Sequence, residues 1–234
     1  MVGQNVCLAC PPGSYFGRKA AMLNPCPAGY YCPQSTHSMH EYPCTIGTYN
    51  NYSSMGKLSD CQLCPGGHYC DRIALVNPVG LCKSSYFCGL GSVSATPELA
   101  NSSDANGICP VGHYCPEGSS VPIPCPPGTN SSSDRNDHVD DCLPCPRGHY
   151  CPSSGTGSNL SLCLAGYYCP TGTINPVGNA SLICPAGYHC DAGSAFPTPC
   201  PAGTYQNLLG NQTCKSCPAG YYCEVHTAIP VTCP

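Results

Sequence analysis

Apolar side chains along this chain follow neither of the two periods that build ordinary secondary structure. No window beyond ten residues carries them at helical spacing, and prolines and glycines interrupt every alternating run before it reaches strand length. The longest apolar stretch, Ile73 to Leu81, contains Asn77 and Pro78 and is far too short to span a membrane. Ala20-Ala21-Met22-Leu23 could form a helical turn at most. The pattern predicts short extended pieces and turns, with small two-stranded ribbons where Tyr-Tyr-Cys and Gly-Thr-Tyr recur, and little or no helix.

What does recur is a frame of cysteines. Cys217 to Cys223 spell CPAGYYC, and Cys26 to Cys32 spell it again. Close copies of the C-x5-C frame join Cys64 to Cys70, Cys109 to Cys115, Cys145 to Cys151, Cys163 to Cys169 and Cys184 to Cys190. Cys82 to Cys88 form a degenerate copy, CKSSYFC, and a ninth at Cys10 has Phe16 in place of its second cysteine. A second motif, C-x-x-G-T, begins at Cys44, Cys125 and Cys200, each followed after a polar loop by the first cysteine of a C-x2-C: Cys61, Cys142 and Cys214. Six cysteines from Cys44 to Cys88 reappear from Cys125 to Cys169, each displaced by 81 residues, so a super-repeat is duplicated. The chain is therefore expected to divide into a partial module at 1–25, super-repeats at 26–108 and 109–183, and a partial super-repeat at 184–234.

Composition says why cysteines must do this work. With 25 Cys, 27 Pro, 26 Gly and no Trp, the 234 residues offer too little aliphatic surface for a single core to offset the entropy of ordering the chain. Covalent links replace that core, and the expected class is small disulfide-rich: an elongated tandem array of irregular cysteine-stapled modules. Within each motif, proline presets the chain and glycine allows positive φ, so the chain reverses there. Eleven of the 16 tyrosines lie just before the second cysteine or two before it, placed to cover a bridge, and Tyr15 holds the same place before Phe16.

So many bridges persist only in an oxidising compartment. Sequons at Asn51, Asn101, Asn130, Asn159, Asn179 and Asn211 all fall between the cysteine motifs or just beyond their turns, and predict a glycosylated, extracellular chain, secreted or held at the cell surface. The net charge of −4, with only 9% charged residues and no basic run, excludes a nucleic-acid partner. Met1 to Cys7 have no signal-like pattern and the sequence stops at Cys233-Pro234, the first letters of another motif, so it reads as an excerpt of a longer repeat protein.

Pairing is narrowed by spacing but left open by it. Cys44 with Cys61, Cys125 with Cys142 and Cys200 with Cys214 would close loops worth about 3 kcal/mol each in the chain-entropy model. For the C-x5-C pairs there are two schemes. Local closure leaves Cys10 without a partner. A crossed scheme, Cys64 with Cys82 and Cys70 with Cys88, orphans Cys32 instead. The recurrence of identical CPAGYYC copies at different places favours local closure.

The blocks running from Cys125 through Cys142 and Cys145 to Cys151, and from Cys200 through Cys214 and Cys217 to Cys223, resemble the ephrin-receptor-like cysteine-rich repeats of animal and protist surface proteins, similar in style to tumour-necrosis-factor-receptor and EGF-like modules. That resemblance implies stalks, surface coats, matrix proteins, the shafts of flagellar hairs, or receptor ectodomains.

Sharper chemistry has plainer competitors. The C-x2-C pairs Cys7/Cys10, Cys61/Cys64, Cys142/Cys145 and Cys214/Cys217 have zinc-knuckle or redox spacing, but in an oxidising setting they read as halves of adjacent bridges. His68, His113, His149 and His189 replace tyrosines of sister copies, which points to stacking rather than metal binding. The acidic run Asp134 to Asp141 has calcium-like oxygen ligands, but its counterparts before Cys61 and Cys214 keep only Asp60 or nothing, and it reads as a solvated loop. No cofactor and no catalytic residue is expected. Two roles remain: a structural rod that self-associates into a fibre or coat or joins neighbouring modules of a longer chain, or a ligand-binding ectodomain, whose best surface would be the apolar segment 71–81, which has no equivalent in the sequence of 152–162.

Overall fold

The computed structural model describes residues 10–17, 23–98 and 106–234. Cys7, most of the Ala20–Leu23 run and the Asn101 sequon lie outside them. The chain forms two compact units, Met1–Cys109 with Cys115–Pro122, and Pro110–Tyr114 with Ile123–Pro234.

Both units are built from small disulfide-rich modules with almost no helix. Twelve such modules begin at Cys10, Cys26, Cys44, Cys64, Cys82, Cys109, Cys125, Cys145, Cys163, Cys184, Cys200 and Cys217, numbered 1 to 12 below. Each opens with a tight turn. In module 4 the His68 N–H donates to the Pro65 carbonyl (3.1 Å), and Gly67 at the third turn position has φ +80°, the geometry of a type II turn. Module 5 puts Ser85 in that slot at φ +74°, which accounts for its degenerate sequence without a change of backbone path.

The residues after the turn pair antiparallel with those just before the next module's first cysteine. Thr48–Tyr49 with Gln62–Leu63 and Thr129–Asn130 with Leu143–Pro144 are such ribbons. Among the described residues there are ten two-stranded ribbons, and modules 2 and 9 keep only single bridges, Tyr30 to Pro43 and Tyr167 to Ile183. Three single 3-10 turns, Leu58–Asp60, Val139–Asp141 and Ala180–Leu182, are the helical content there.

The link between successive modules repeats bond for bond. From module 3 to module 4, Cys64 N donates to the Gly47 carbonyl, Gly47 N to the Cys70 carbonyl, Ala74 N to the Cys44 carbonyl and Asn50 N to the Leu75 carbonyl, all between 2.8 and 2.9 Å. The same four bonds join modules 1 through 6 in the first unit and 7 through 12 in the second. They satisfy the backbone of segments too short to form a sheet of their own. A second recurrent contact reaches one module further. A Cβ added to Gly67 would overlap the Gly118 carbonyl of module 6, and one on Gly148 the Gly193 carbonyl of module 10. Each module therefore touches its next and next-but-one neighbour within the unit, the arrangement of a quasi-one-dimensional repeat.

Candidate functional site: the stapled module

Every C-x5-C pair closes on itself. Cys26–Cys32, Cys64–Cys70, Cys82–Cys88, Cys109–Cys115, Cys145–Cys151, Cys163–Cys169, Cys184–Cys190 and Cys217–Cys223 are bridged, with Cα atoms 5.8 to 6.0 Å apart. The crossed arrangement does not occur. Cys44–Cys61, Cys125–Cys142 and Cys200–Cys214 form the longer bridges, at 5.6 to 5.8 Å. Each half of Cys61/Cys64, Cys142/Cys145 and Cys214/Cys217 thus belongs to a different bridge, whereas Cys10 is unbridged and its partner in the motif, Cys7, lies outside the described residues. Among the described residues two thiols are free: Cys10, buried where Phe16 denies it a partner, and exposed Cys233. Burial pushes the Cys10 thiol pKa up.

The C-x-x-G-T modules are the same fold with a different staple. Where the other modules place their second cysteine, these have Asn50, Ser131 and Gln206, all buried. Asn50 donates from Nδ2 to the Tyr30 carbonyl (3.2 Å) and accepts from Tyr52 N–H (2.9 Å). Gln206 donates from Nε2 to the Thr213 carbonyl (2.7 Å) and accepts from Leu208 N–H (3.1 Å). Ser131 accepts from Asn136 Nδ2 (2.6 Å), which also donates to the His113 carbonyl (3.0 Å). Sequence reasoning missed these three. Their signal was position: each stands three residues after the turn glycine, as the second cysteine does in a C-x5-C module.

Apolar cover is thin and local. Tyr49 and Val79 pack on a cluster of Cys64, Cys70 and Leu75, and Ile108 packs on Cys82, Tyr86 and Cys88. Leu75 belongs to segment 71–81, whose backbone is anchored like that of 152–162: Ala74 N binds the Cys44 carbonyl as Gly155 N binds that of Cys125. The segment is thus no insertion, and its difference lies in side chains. Leu75 is buried, while Ile73 and Leu81 remain 58% and 47% exposed.

The histidines are occupied locally. In His68, His113 and His149, Nδ1–H donates to the carbonyl two residues earlier, at 3.0 to 3.4 Å. His189 lies 3.8 Å from the Asp191 carboxylate. In the acidic run Asp134, Asp137 and Asp140 are exposed, and Asp141 caps backbone: it accepts from Asp137 and His138 N–H (both 3.0 Å), as Asp60 does from Gly56 and Lys57 (3.0 and 2.9 Å). Among the described residues no three His, Cys, Asp or Glu side chains gather as a metal site, and no helix is long and apolar enough to cross a membrane.

The sequons differ in setting. Asn51, Asn159 and Asn179 are exposed, whereas Asn130 and Asn211 are half-buried.

Eleven bridges with so little other core mark an extracellular or cell-surface protein. A comparison with curated proteins finds no matching sequence. Residues 187–229, running from the turn glycine of module 10 into the last hairpin of module 12, match the family model described as tyrosine-protein kinase ephrin type A/B receptor-like, and so carry an ephrin-receptor-like cysteine-rich repeat.

Proposed function

We propose that this chain is a non-catalytic structural protein of the cell exterior: a glycosylated, disulfide-stapled rod that forms a stalk, coat or filament. The observation that carries this reading is the identity of the links. The same four backbone hydrogen bonds join neighbour to neighbour in both units. Such an array transmits its geometry along one dimension and extends by adding modules. The C-x-x-G-T module returns every fourth position, as modules 3, 7 and 11, giving the array a longer period.

Negative-stain electron microscopy and light scattering of the secreted, non-reduced protein test it. Filaments with an axial repeat matching the four-module period are expected. A compact monomer that persists at high concentration sinks self-assembly.

The receptor-like family match favours a second reading, a ligand-binding ectodomain, for which exposed Ile73 and Leu81 supply apolar contact surface. Because 71–81 and 152–162 share length and anchors, exchanging one for the other preserves the backbone. If partner capture survives the exchange, that surface is not the site.

A further inference from the structure

The second residue after each turn carries a ring, Tyr, Phe or His, in eleven of the twelve modules; the exception is Asn130 of module 7. Its counterpart 81 residues earlier is Tyr49, which packs on the Cys64–Cys70 bridge together with Leu75. In module 8 the residue matching Leu75 is Thr156, whose hydroxyl donates to the Ser153 carbonyl (2.8 Å). Two of the three apolar groups at the Cys64–Cys70 bridge, Tyr49 and Leu75, thus have no apolar counterpart at Cys145–Cys151, while the third, Val79, is matched by Leu160. Asn130 is also the asparagine of a sequon, Asn130-Ser131-Ser132, and lies half-buried on the ribbon Thr129–Asn130, paired with Leu143. The one module that lacks a ring is the one whose sequence directs a sugar ring to the same position.

We infer that Asn130 carries an N-linked glycan whose first N-acetylglucosamine takes the place of the missing aromatic ring over the Cys145–Cys151 bridge. The pyranose has an apolar face of C–H groups, and its polar rim suits the Thr156 side of the site. In the transfer, the Asn130 amide nitrogen attacks the anomeric carbon of a lipid-linked oligosaccharyl diphosphate. The N–C bond forms, the C–O bond to the diphosphate breaks, the lipid diphosphate leaves and the amide proton passes to a base of the transferase. The inference rests on the proposed glycosylated, extracellular character of the chain.

Glycopeptide mass spectrometry of the full chain secreted from eukaryotic cells, combined with hydrogen exchange over 145–151, tests it. Asn130 should be occupied. Ser132→Ala removes the sequon but keeps Asn130, and should lower protection of 145–151 about tenfold or more relative to the glycosylated protein. Asn130→Tyr should restore that protection without a sugar. Trimming to a single N-acetylglucosamine with an endoglycosidase should preserve it. Occupancy at Asn51 and Asn179 with Asn130 empty overturns the inference while leaving the wider reading intact, whereas all six sequons empty overturns glycosylation itself. An occupied Asn130 with unchanged protection in Ser132→Ala removes the role as a cover.

Discussion

Modules 3 and 4 follow one backbone path and are closed in two different ways. In module 4 the sixth residue after the first cysteine is Cys70, bridged to Cys64 within a six-residue separation. In module 3 the same place belongs to Asn50, and Cys44 reaches forward 17 residues to Cys61 instead. The four links to the neighbouring module are unchanged by the exchange. The fold is therefore held by turn geometry and the backbone ladder, while the filling of this position is interchangeable: a bridge, a hydrogen-bonded polar group or, in module 1, Phe16. What the longer staple adds is a loop, 51–60, outside the repeating frame.

The largest expected effect tests the part that both modules share. Gly67→Ala meets two penalties, a left-handed backbone at φ +80° and a Cβ that overlaps the Gly118 carbonyl, so it should cost about 3 kcal/mol or more and displace module 6. Gly203→Ala has the same backbone at φ +82° with open space around it, and should cost only about 1 kcal/mol. Denaturant unfolding of the two variants measures the difference. Equal losses would mean that the next-but-one contact contributes nothing.

Next come the staples. Replacing Cys44 and Cys61 together by serine should cost about 3 kcal/mol, and replacing Cys64 and Cys70 about 2.5 kcal/mol, from the loop lengths alone. The two pairs should differ more in location than in size. Limited proteolysis should cut within 51–60 in the first variant and leave that loop intact in the second.

A smaller effect isolates the polar substitute. Gln206→Ala leaves the Thr213 carbonyl and the Leu208 N–H without their partner and should cost about 1 to 3 kcal/mol. Hydrogen exchange at Leu208 reports it. An unchanged rate would show that the position needs only volume. Smallest of all, Asp60→Ala removes the acceptor for Gly56 and Lys57 N–H and should cost about 1 kcal/mol. The loss should stay inside the loop, with Lys57 exchange faster and the Cys64–Cys70 module unaffected.

Much of this architecture was legible from residue identities. Cysteine spacing, the turn glycines and the scarcity of aliphatic residues called for stapled modules with ribbons, because proline and glycine fix local dihedrals and a chain without a core must be cross-linked. The acidic run before Cys142 read as a solvated loop, and Asp134, Asp137 and Asp140 are exposed, with only Asp141 turned to local backbone as a cap. Segment 71–81 looked unlike 152–162 because a sequence displays side chains, whereas the equivalence lies in backbone bonds that any residue can make. The sequence by itself thus determined the class of fold, the position of each turn and the register of the super-repeat, since all three follow from local sterics and from spacing. Only the tertiary structure decided between local and crossed bridges, which depends on which sulfurs meet in space. It also decided that Asn50, Ser131 and Gln206 fill the cysteine's place, because a buried polar side chain is recognised by its partners and not by its name.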